Sequence, residues 1–407
     1  MAHANTKNPG RRTLRTRLAI RQVLLACTLA FAAGGAVAAE PTLSSRPELT
    51  GNATTAADSA WDSALAAGLV LRNFKQNGLA DPGKIFLRRY LQYVPKGLDP
   101  KGKYPLVIVL PGGNLSAEFS RDGDTKDRFE RLADRDKFIV VYGNAVYAKG
   151  ATQDAAPNDP YFANGGYWRA CLGGAGGADR AVDDVAYLRR IIQNLSDEKL
   201  PVDADRIFIV GASNGGEMAQ RAAREMGDQL AGIGAVIPVL GLPANLPLLS
   251  CEAAAGQHPL SMVHIYSTHD PLLSWVWQTY FPPGETYDKA MLDSGAAWRK
   301  AIGAGDTPTR TTTIPDRVSE GTDYKGKVEW ALATQHSAVV RYDYAPSPEG
   351  AAYVAYVMDH AGHGWPNPQG SDVATAENPA RLGFRNQDID AADEVWNFLK
   401  DKRRIKR

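Results

Sequence analysis

One short stretch constrains the fold of this chain more than any other: Gly-Ala-Ser-Asn-Gly at residues 211–215. The residues before it, Ile-Phe-Ile-Val at 207–210, indicate a strand that is buried on both faces. After it, apolar residues recur at helical spacing from Met218 to Met226. A strand, a tight turn with glycine on both sides and a helix are the context of a nucleophile elbow. We therefore predict that Ser213 is a nucleophile, held exposed above the strand ends.

The rest of the chain predicts an α/β fold with a mostly parallel central sheet and helices on both faces. Apolar runs typical of strands alternate with helical patterns, and no internal repeat is found. Residues 148–178 read as a long glycine-rich loop, and residues 305–336 as polar and irregular. The predicted strands are 85–94, 104–110, 137–142, 207–210, 233–240, 261–267, 338–344 and 353–358. Predicted helices include 59–73, 179–194, 289–302 and 390–400.

A serine nucleophile needs a base and an orienting acid, and in this kind of fold they follow in the order Ser, acid, His. Asp270 comes after the predicted strand 261–267 and is the candidate acid; its alternative is a turn aspartate before proline. His363 lies in Gly-His-Gly-Trp-Pro after strand 353–358 and is the candidate base. His360 is the alternative base. His336 would lie at the wrong end of a parallel sheet.

The oxyanion formed by acyl transfer needs two backbone N–H donors. The residue after the nucleophile, Asn214, would supply one of them. Gly113 follows the strand 104–110 in Pro-Gly-Gly and is the candidate for the second donor, with Asn114 as the alternative.

The N-terminal residues 1–39 predict an export signal peptide. They carry six basic residues and no acidic one, and residues 23–37 form an apolar run too short to span a bilayer permanently. The whole chain has 46 basic and 45 acidic residues. The part after residue 39 keeps 40 basic and 45 acidic residues, so its formal net charge is −5. This balance argues against a nucleic-acid partner. The basic stretch 400–407 is expected to be a solvated tail, and the alternative is a contact with a membrane or a polyanion.

The predicted organisation is a signal peptide (1–39), a leader with an N-terminal helix (40–83) and a single catalytic domain (84–407). The mature protein is expected to be secreted or periplasmic, without stable membrane insertion. Two cysteines remain after the signal, Cys171 and Cys251, and an oxidising compartment allows them to pair. Two buried thiols are the alternative.

These motifs together resemble the secreted polyhydroxybutyrate depolymerase and feruloyl-esterase-like group of α/β hydrolases, over about residues 84 to 400. The resemblance implies the α/β-hydrolase fold and points to Ser213, Asp270 and His363. Pro111 departs from the group, which usually has histidine before the glycines, and residues 275–287 look expanded. The matching motifs are Trp-Arg-Ala-Cys at 168–171, Asp-Asp-Val at 183–185, Val-Asp-Ala-Asp-Arg-Ile at 202–207, Gly-Ala-Ser-Asn-Gly-Gly at 211–216, Thr-His-Asp-Pro at 268–271 and Gly-His-Gly-Trp-Pro at 362–366.

Aromatic residues near the motifs are candidates for the substrate wall, because they can cover an acyl chain or stack on a phenolic ring. Trp168, Trp275 and Trp365 are the main ones. The alternative is that they pack on one another as part of a core.

The function expected from the sequence is an exported serine carboxylic-ester hydrolase that works through an acyl-enzyme. Its substrates would be small or oligomeric esters, either short polyesters or feruloyl-type esters, and no metal or organic cofactor is implied. One alternative is an acyltransferase of the same fold. The other is an exported binding protein that retains an inactive hydrolase fold.

Overall fold

Ten strands of the described chain form one sheet. The computed structural model describes residues 68–79, 83–113, 115–146, 166–170, 182–238, 257–268, 270–274, 286–317, 337–359, 361–368, 382–383 and 385–407. The strands are β1 Val70–Asn77, β2 Ile85–Tyr93, β3 Tyr104–Leu110, β4 Ile139–Gly143, β5 Val202–Ala212, β6 Gly232–Val236, β7 Ser261–Thr268, β8 Pro308–Ile314, β9 Val339–Tyr344 and β10 Tyr353–Asp359. Across the sheet they lie in the order β1-β2-β4-β3-β5-β6-β7-β10-β9-β8.

The middle of this sheet is parallel, from β4 through β3, β5, β6 and β7 to β10. The outer strands pair antiparallel, β1 on β2 and β2 on β4 at one edge, β9 on β10 and β8 on β9 at the other. The predicted mostly parallel sheet is therefore confirmed. Parallel strands bring their carboxyl ends to one edge of the sheet, where ligands bind in folds of this type.

Helices cover both faces of the sheet. The helices are α1 Ala117–Phe119, α2 Arg128–Asp136, α3 Asp184–Asp197, α4 Asn214–Met226, α5 Tyr287–Ile302 and α6 Ala391–Leu399. Apolar residues of α3, α4 and α5 share one buried cluster with the sheet, whereas those of α2 and α6 belong to the cluster on the other face. Neighbouring residues of one strand divide between the two clusters, as Ile209 and Val210 do. This explains why the central strands are apolar at every position.

Two segments differ from the sequence prediction. The helix expected over 59–73 is wrong where the structure describes it, because Val70–Asn77 is strand β1 and pairs along its whole length with β2. The boundary placed at residue 84 therefore divides a β-hairpin. Residues 308–314, expected to be irregular, form the exposed edge strand β8.

Two chain ends also need correction. Helix α3 begins at Asp184 and not at 179, since Asp183 is its N-cap and accepts a hydrogen bond from Ala186 N–H. The basic C-terminal stretch is docked and not a free tail. Arg404 donates to the Asp205 carboxylate at 2.8 Å, and Lys406 forms an ion pair with the same carboxylate at 2.7 Å. Among the described residues, no helix is both long and apolar enough to cross a membrane.

The N-cap of α6 makes the stability of this fold depend on pH. Asp390 accepts a hydrogen bond from Ala392 N–H at 3.0 Å, and its burial raises the pKa of the carboxyl to about 6. Because this pKa is higher in the folded protein than in the unfolded chain, the stabilising contribution is complete below about pH 4. It is lost as the pH rises through about 6.

We expect Asp390→Asn to raise Tm by at least ~2 °C at pH 7.5 and to leave it unchanged at pH 4. The amide oxygen still caps the helix, and the cost of ionising a buried group disappears. Asp393→Asn is the matched control. Arg128 pairs with both carboxylates, with Asp393 at 2.6 Å and with Asp390 at 3.6 Å, so the control removes the shorter ion pair and should lower Tm at pH 7.5. A shift for Asp390→Asn that is equal at the two pH values would contradict the assignment.

Candidate active site

Ser213 occupies the turn between β5 and α4 in a strained backbone conformation. Its φ is 50° and its ψ is −120°, a region that residues with a side chain rarely adopt. Its N–H donates to Val236 O on the neighbouring strand β6 at 2.9 Å, which holds the turn against the sheet. The side chain therefore stands at the carboxyl ends of the parallel strands, with the N-terminus of α4 directly behind it.

The two glycines of the turn are required by close backbone approach. A Cβ on Gly211 would lie closer than 3.0 Å to the backbone of Gly215, across the turn. A Cβ on Gly215 would lie closer than 3.0 Å to the carbonyl oxygens of Leu110 and Pro111. Gly215 therefore sets how closely the loop after β3 approaches the turn that carries Ser213.

We expect Gly215→Ala to lower activity by at least ~10²-fold, because the new methyl group must push the loop after β3 away from Ser213. Gly216→Ala is the matched control on the same turn, since its Cβ would meet neighbours no closer than 3.1 Å. Its effect on kcat should be at least tenfold smaller. The purified variants would be compared by kcat and Tm. An equal loss of kcat in Gly215→Ala and Gly216→Ala would refute the steric explanation.

The structure brings Ser213, His363 and Asp270 into one hydrogen-bonded chain. His363 Nε2 lies 2.9 Å from Ser213 Oγ, and His363 Nδ1 lies 2.7 Å from Asp270 Oδ2. A carboxylate oxygen only accepts, so Nδ1 carries the hydrogen and Nε2 accepts from the Ser213 hydroxyl. Asp270 is fully buried and His363 is 8% exposed, so the ring is nearly enclosed. Three residues from distant parts of the sequence thus have the relative geometry that an activated serine needs.

Asp270 is fixed by its own turn after β7. Its Oδ1 accepts a hydrogen bond from Leu273 N–H at 3.0 Å, which leaves Oδ2 directed at the imidazole. Ser267 Oγ donates to Ala361 O at 2.7 Å and ties the end of β7 to the chain that leads to His363. The carboxylate and the imidazole are therefore supported by the same pair of strand ends.

The loop that carries His363, residues 361–368, rests on a late segment that the sequence analysis missed. His363 N–H donates to Leu382 O at 2.5 Å, and Asn367 N–H donates to Asn386 O at 3.1 Å. The buried Asn367 side chain also donates to Asp124 O at 2.9 Å. These are backbone and amide contacts between residues far apart in sequence, and no local pattern indicates them.

The predicted oxyanion loop lies beside Ser213. A Cβ on Gly112 would be 3.5 Å from Ser213 Cβ, and Gly113 is the next residue. Asn214 is the first residue of α4, where backbone N–H groups have no partner inside the helix and the helix dipole is positive. Both predicted donors are thus on segments that border Ser213.

The aromatic candidates for a substrate wall are placed differently from expectation. Trp168 and Trp365 are each 1% exposed and belong to the two buried clusters on opposite faces of the sheet. Trp168 Nε1 donates to Pro111 O at 2.9 Å, and the Trp365 ring packs edge-on against Phe129. Both indoles therefore pack in the core and do not line an open surface. Several predictions fall outside the described residues: Trp275, His360, His336, Asn114 and the pair Cys171 and Cys251.

Within the described part of the chain, no group of three or more His, Cys, Asp or Glu side chains is arranged to hold a metal ion.

A comparison with known protein families agrees with this topology. A family model described as an alpha/beta hydrolase fold matches residues 178–304. The chain has the α/β-hydrolase fold. That match includes Ser213 and Asp270, and it ends before His363.

A curated relative named as the putative esterase NocK of Nocardia uniformis subsp. tsuyamanensis is 26% identical over 307 residues. The alignment covers 74% of this chain and 75% of that protein. Among solved structures, the acetyl xylan esterase from Aspergillus awamori is 13% identical, with a TM-score of 0.40, over 71% of this chain and 93% of that one. A ferulic acid esterase is 16% identical, with a TM-score of 0.36, over 56% and 86%.

Proposed function

We propose that this chain is a serine carboxylic-ester hydrolase in which Ser213 is the nucleophile, His363 the general base and Asp270 the orienting acid. The observation that carries the proposal is the hydrogen-bonded chain from Ser213 Oγ through the imidazole to Asp270 Oδ2. The strained turn at Ser213 supports it, because backbone strain of this kind is concentrated at functional sites. The curated relative NocK, itself named a putative esterase, supports the same reaction class.

In the first half of the reaction, Ser213 Oγ attacks the ester carbonyl carbon and its proton passes to His363 Nε2. The C=O π bond opens, and the carbonyl oxygen becomes an oxyanion held by the N–H groups of Gly113 and Asn214. Asp270 accepts from Nδ1–H and stabilises the imidazolium. When the oxyanion collapses, the C–O bond to the alcohol breaks, and His363 returns the proton to the leaving oxygen.

The second half repeats these steps with water. His363 takes a proton from a water molecule as the water oxygen attacks the acyl-Ser213 carbonyl. Collapse of the second oxyanion breaks the bond to Ser213 Oγ, which regains a proton from His363. The carboxylic acid leaves and the enzyme is restored, with no group consumed other than water and ester.

For the substrate we propose short polyester or feruloyl-type esters, on the basis of the motif resemblance in residues 84–400. We further propose that residues 1–39 direct export, so that the mature enzyme meets these esters outside the cytoplasm. Expression of the full chain tests the proposed export. The mature enzyme should begin near residue 39 and be found in the periplasm or the medium.

A panel of esters that varies the acyl and alcohol parts separately tests the activity and its substrate class. Hydroxybutyrate oligomers, methyl ferulate and p-nitrophenyl esters would be compared by kcat/KM, each with the Ser213→Ala variant as background. We expect the wild type to hydrolyse at least one class of ester, and we expect Ser213→Ala to lose that activity. Absence of hydrolysis for every ester, with a folded protein, would overturn the proposal.

A further inference from the structure

A short stretch of chain, residues 166–170, lies across the two segments that border Ser213. Gly166 forms an isolated bridge with Leu115, just after the oxyanion loop. Trp168 Nε1 donates to Pro111 O at 2.9 Å, and Arg169 N–H donates to the buried Asp184 carboxylate at 2.6 Å. The stretch is therefore fixed to the loop after β3 on one side and to α3 on the other.

The side chain of Asn214 binds the backbone of this stretch at both of its polar groups. Asn214 Oδ1 accepts from Trp168 N–H at 2.7 Å, and Asn214 Nδ2 donates to Trp168 O at 3.3 Å. Nδ2 also donates to Glu217 Oε2 at 3.2 Å, and Glu217 is fully buried in the first turn of α4. Through these bonds the carboxamide pairs with the Trp168 backbone as a neighbouring β-strand would. The proposed reaction uses the backbone N–H of Asn214 and not this side chain.

The stretch in turn contacts the oxyanion loop through Tyr167. A Cβ on Gly113 would lie 2.7 Å from Tyr167 Cδ1 and closer still to Cε1, so the ring edge rests directly on the Gly113 backbone. Tyr167 is buried and adjoins Trp168, whose backbone the Asn214 carboxamide holds. A continuous set of contacts therefore links Glu217 and Asn214 to Gly113.

We propose that the Asn214 side chain is a positioning residue that sets the spacing between the two oxyanion donors, its own N–H and that of Gly113. The inference rests on the proposed function, because it assigns a task only if an oxyanion forms at this site. Donors act on an oxyanion at 2.7–3.1 Å, and a displacement of about 1 Å costs on the order of 10²-fold in rate. A rigid link between the segments that carry the two donors keeps that distance.

Asn214→Ala tests the inference, because it removes the carboxamide and keeps the backbone N–H of residue 214. We expect kcat for p-nitrophenyl butyrate to fall by about 10–100-fold while KM changes less than twofold. Phenylboronic acid forms a bond between boron and Ser213 Oγ and puts an oxygen in the oxyanion site. Its inhibition constant should therefore rise by a similar factor. Rates would be normalised to the fraction of protein titrated by a fluorophosphonate, so that unfolded molecules are not counted.

Gln220→Ala is the matched control on the same helix. Gln220 is a fully buried carboxamide, whereas Asn214 is 8% exposed, and Gln220 Oε1 accepts from Trp298 Nε1 of helix α5 at 3.0 Å. We expect it to lower Tm by as much as Asn214→Ala and to leave kcat and the boronic acid inhibition constant unchanged. If the two variants lose the same kcat, or if Asn214→Ala keeps wild-type kcat, the side chain is merely structural and the inference fails.

A paired substitution tests the contact between Asn214 and Glu217. Asn214→Asp places a second carboxylate against Glu217 and should lower kcat at least as much as Asn214→Ala. Adding Glu217→Gln supplies an amide donor to the new carboxylate and should recover at least fivefold of kcat, whereas Glu217→Gln alone should be mild. No recovery would overturn the role given to Glu217. Failure of the proposed function looks different, because Ser213→Ala would then hydrolyse esters as fast as the wild type.

Discussion

Replacing Ser213 with alanine is expected to lower kcat for a p-nitrophenyl ester by at least ~10⁴-fold, with the chain still folded. The side chain loses only its hydroxyl, and the turn keeps its hydrogen bond from residue 213 N–H to Val236 O. Without Oγ no acyl-enzyme forms. What remains is hydrolysis by water near the oxyanion donors, which typically retain only a small fraction of the rate. The measurement is steady-state hydrolysis beside circular dichroism and thermal unfolding of the same preparation.

A matched control is Ser294→Ala, which removes a buried hydroxyl from helix α5. It should keep kcat within about twofold of the wild type. If Ser213→Ala retains more than about a hundredth of wild-type turnover, Ser213 is not the nucleophile, since loss of such a residue typically costs far more. Electrospray mass spectrometry after a fluorophosphonate adds a direct check, as the wild type should gain one covalent adduct and the variant none.

The parts of the fold that could be predicted are those in which local pattern and tertiary environment agree. The strand 104–110 is β3 without any change of bounds, because its residues are apolar on both faces and it lies in the middle of the sheet. The structure brings Ser213, Asp270 and His363 together for a related reason. Each follows a recognisable buried strand, and parallel strands end at one edge.

The edges of the sheet were harder to predict, because there the local sequence pattern does not match the structure that tertiary contacts impose. The helix predicted over 59–73 rested on the spacing of Trp61, Leu65 and Leu69, yet eight backbone pairs with β2 make residues 70–77 a strand. Residues 308–314 are largely exposed threonine and arginine, and only pairing with β9 reveals them as β8. In both cases tertiary hydrogen bonding overrides the local preference.

The surroundings of the site were the least predictable part. Trp168 stands next to motif residues, which suggested a substrate contact, and the structure shows it donating to Pro111 O from within the core. The support of the histidine loop by Leu382 and Asn386 consists of backbone contacts without any sequence signature. A sequence motif identifies which side chains can react, whereas the chain segments that hold them are fixed by long-range contacts.

His363→Ala is expected to match Ser213→Ala in severity. Without the imidazole, nothing removes the proton from Ser213 Oγ, and nothing returns a proton to the leaving oxygen. His258→Ala is the matched control among the described residues, because His258 Nδ1 lies 3.1 Å from Pro259 O, just before β7 begins and so at the opposite end of that strand from Asp270. It should keep wild-type kcat, and His360→Ala should lose far less than His363→Ala.

The double variant of Ser213 and His363 gives the sharpest form of this prediction. If the two residues act in one proton transfer, removing both should cost no more than removing either one alone. If they act independently, the two losses should multiply. The hydrogen bond of 2.9 Å between Nε2 and Oγ predicts the first outcome, because a base in direct contact with the nucleophile has no separate task once the nucleophile is gone. A larger loss for His360→Ala than for His363→Ala, or multiplied losses in the double variant, would show that His363 is not the base.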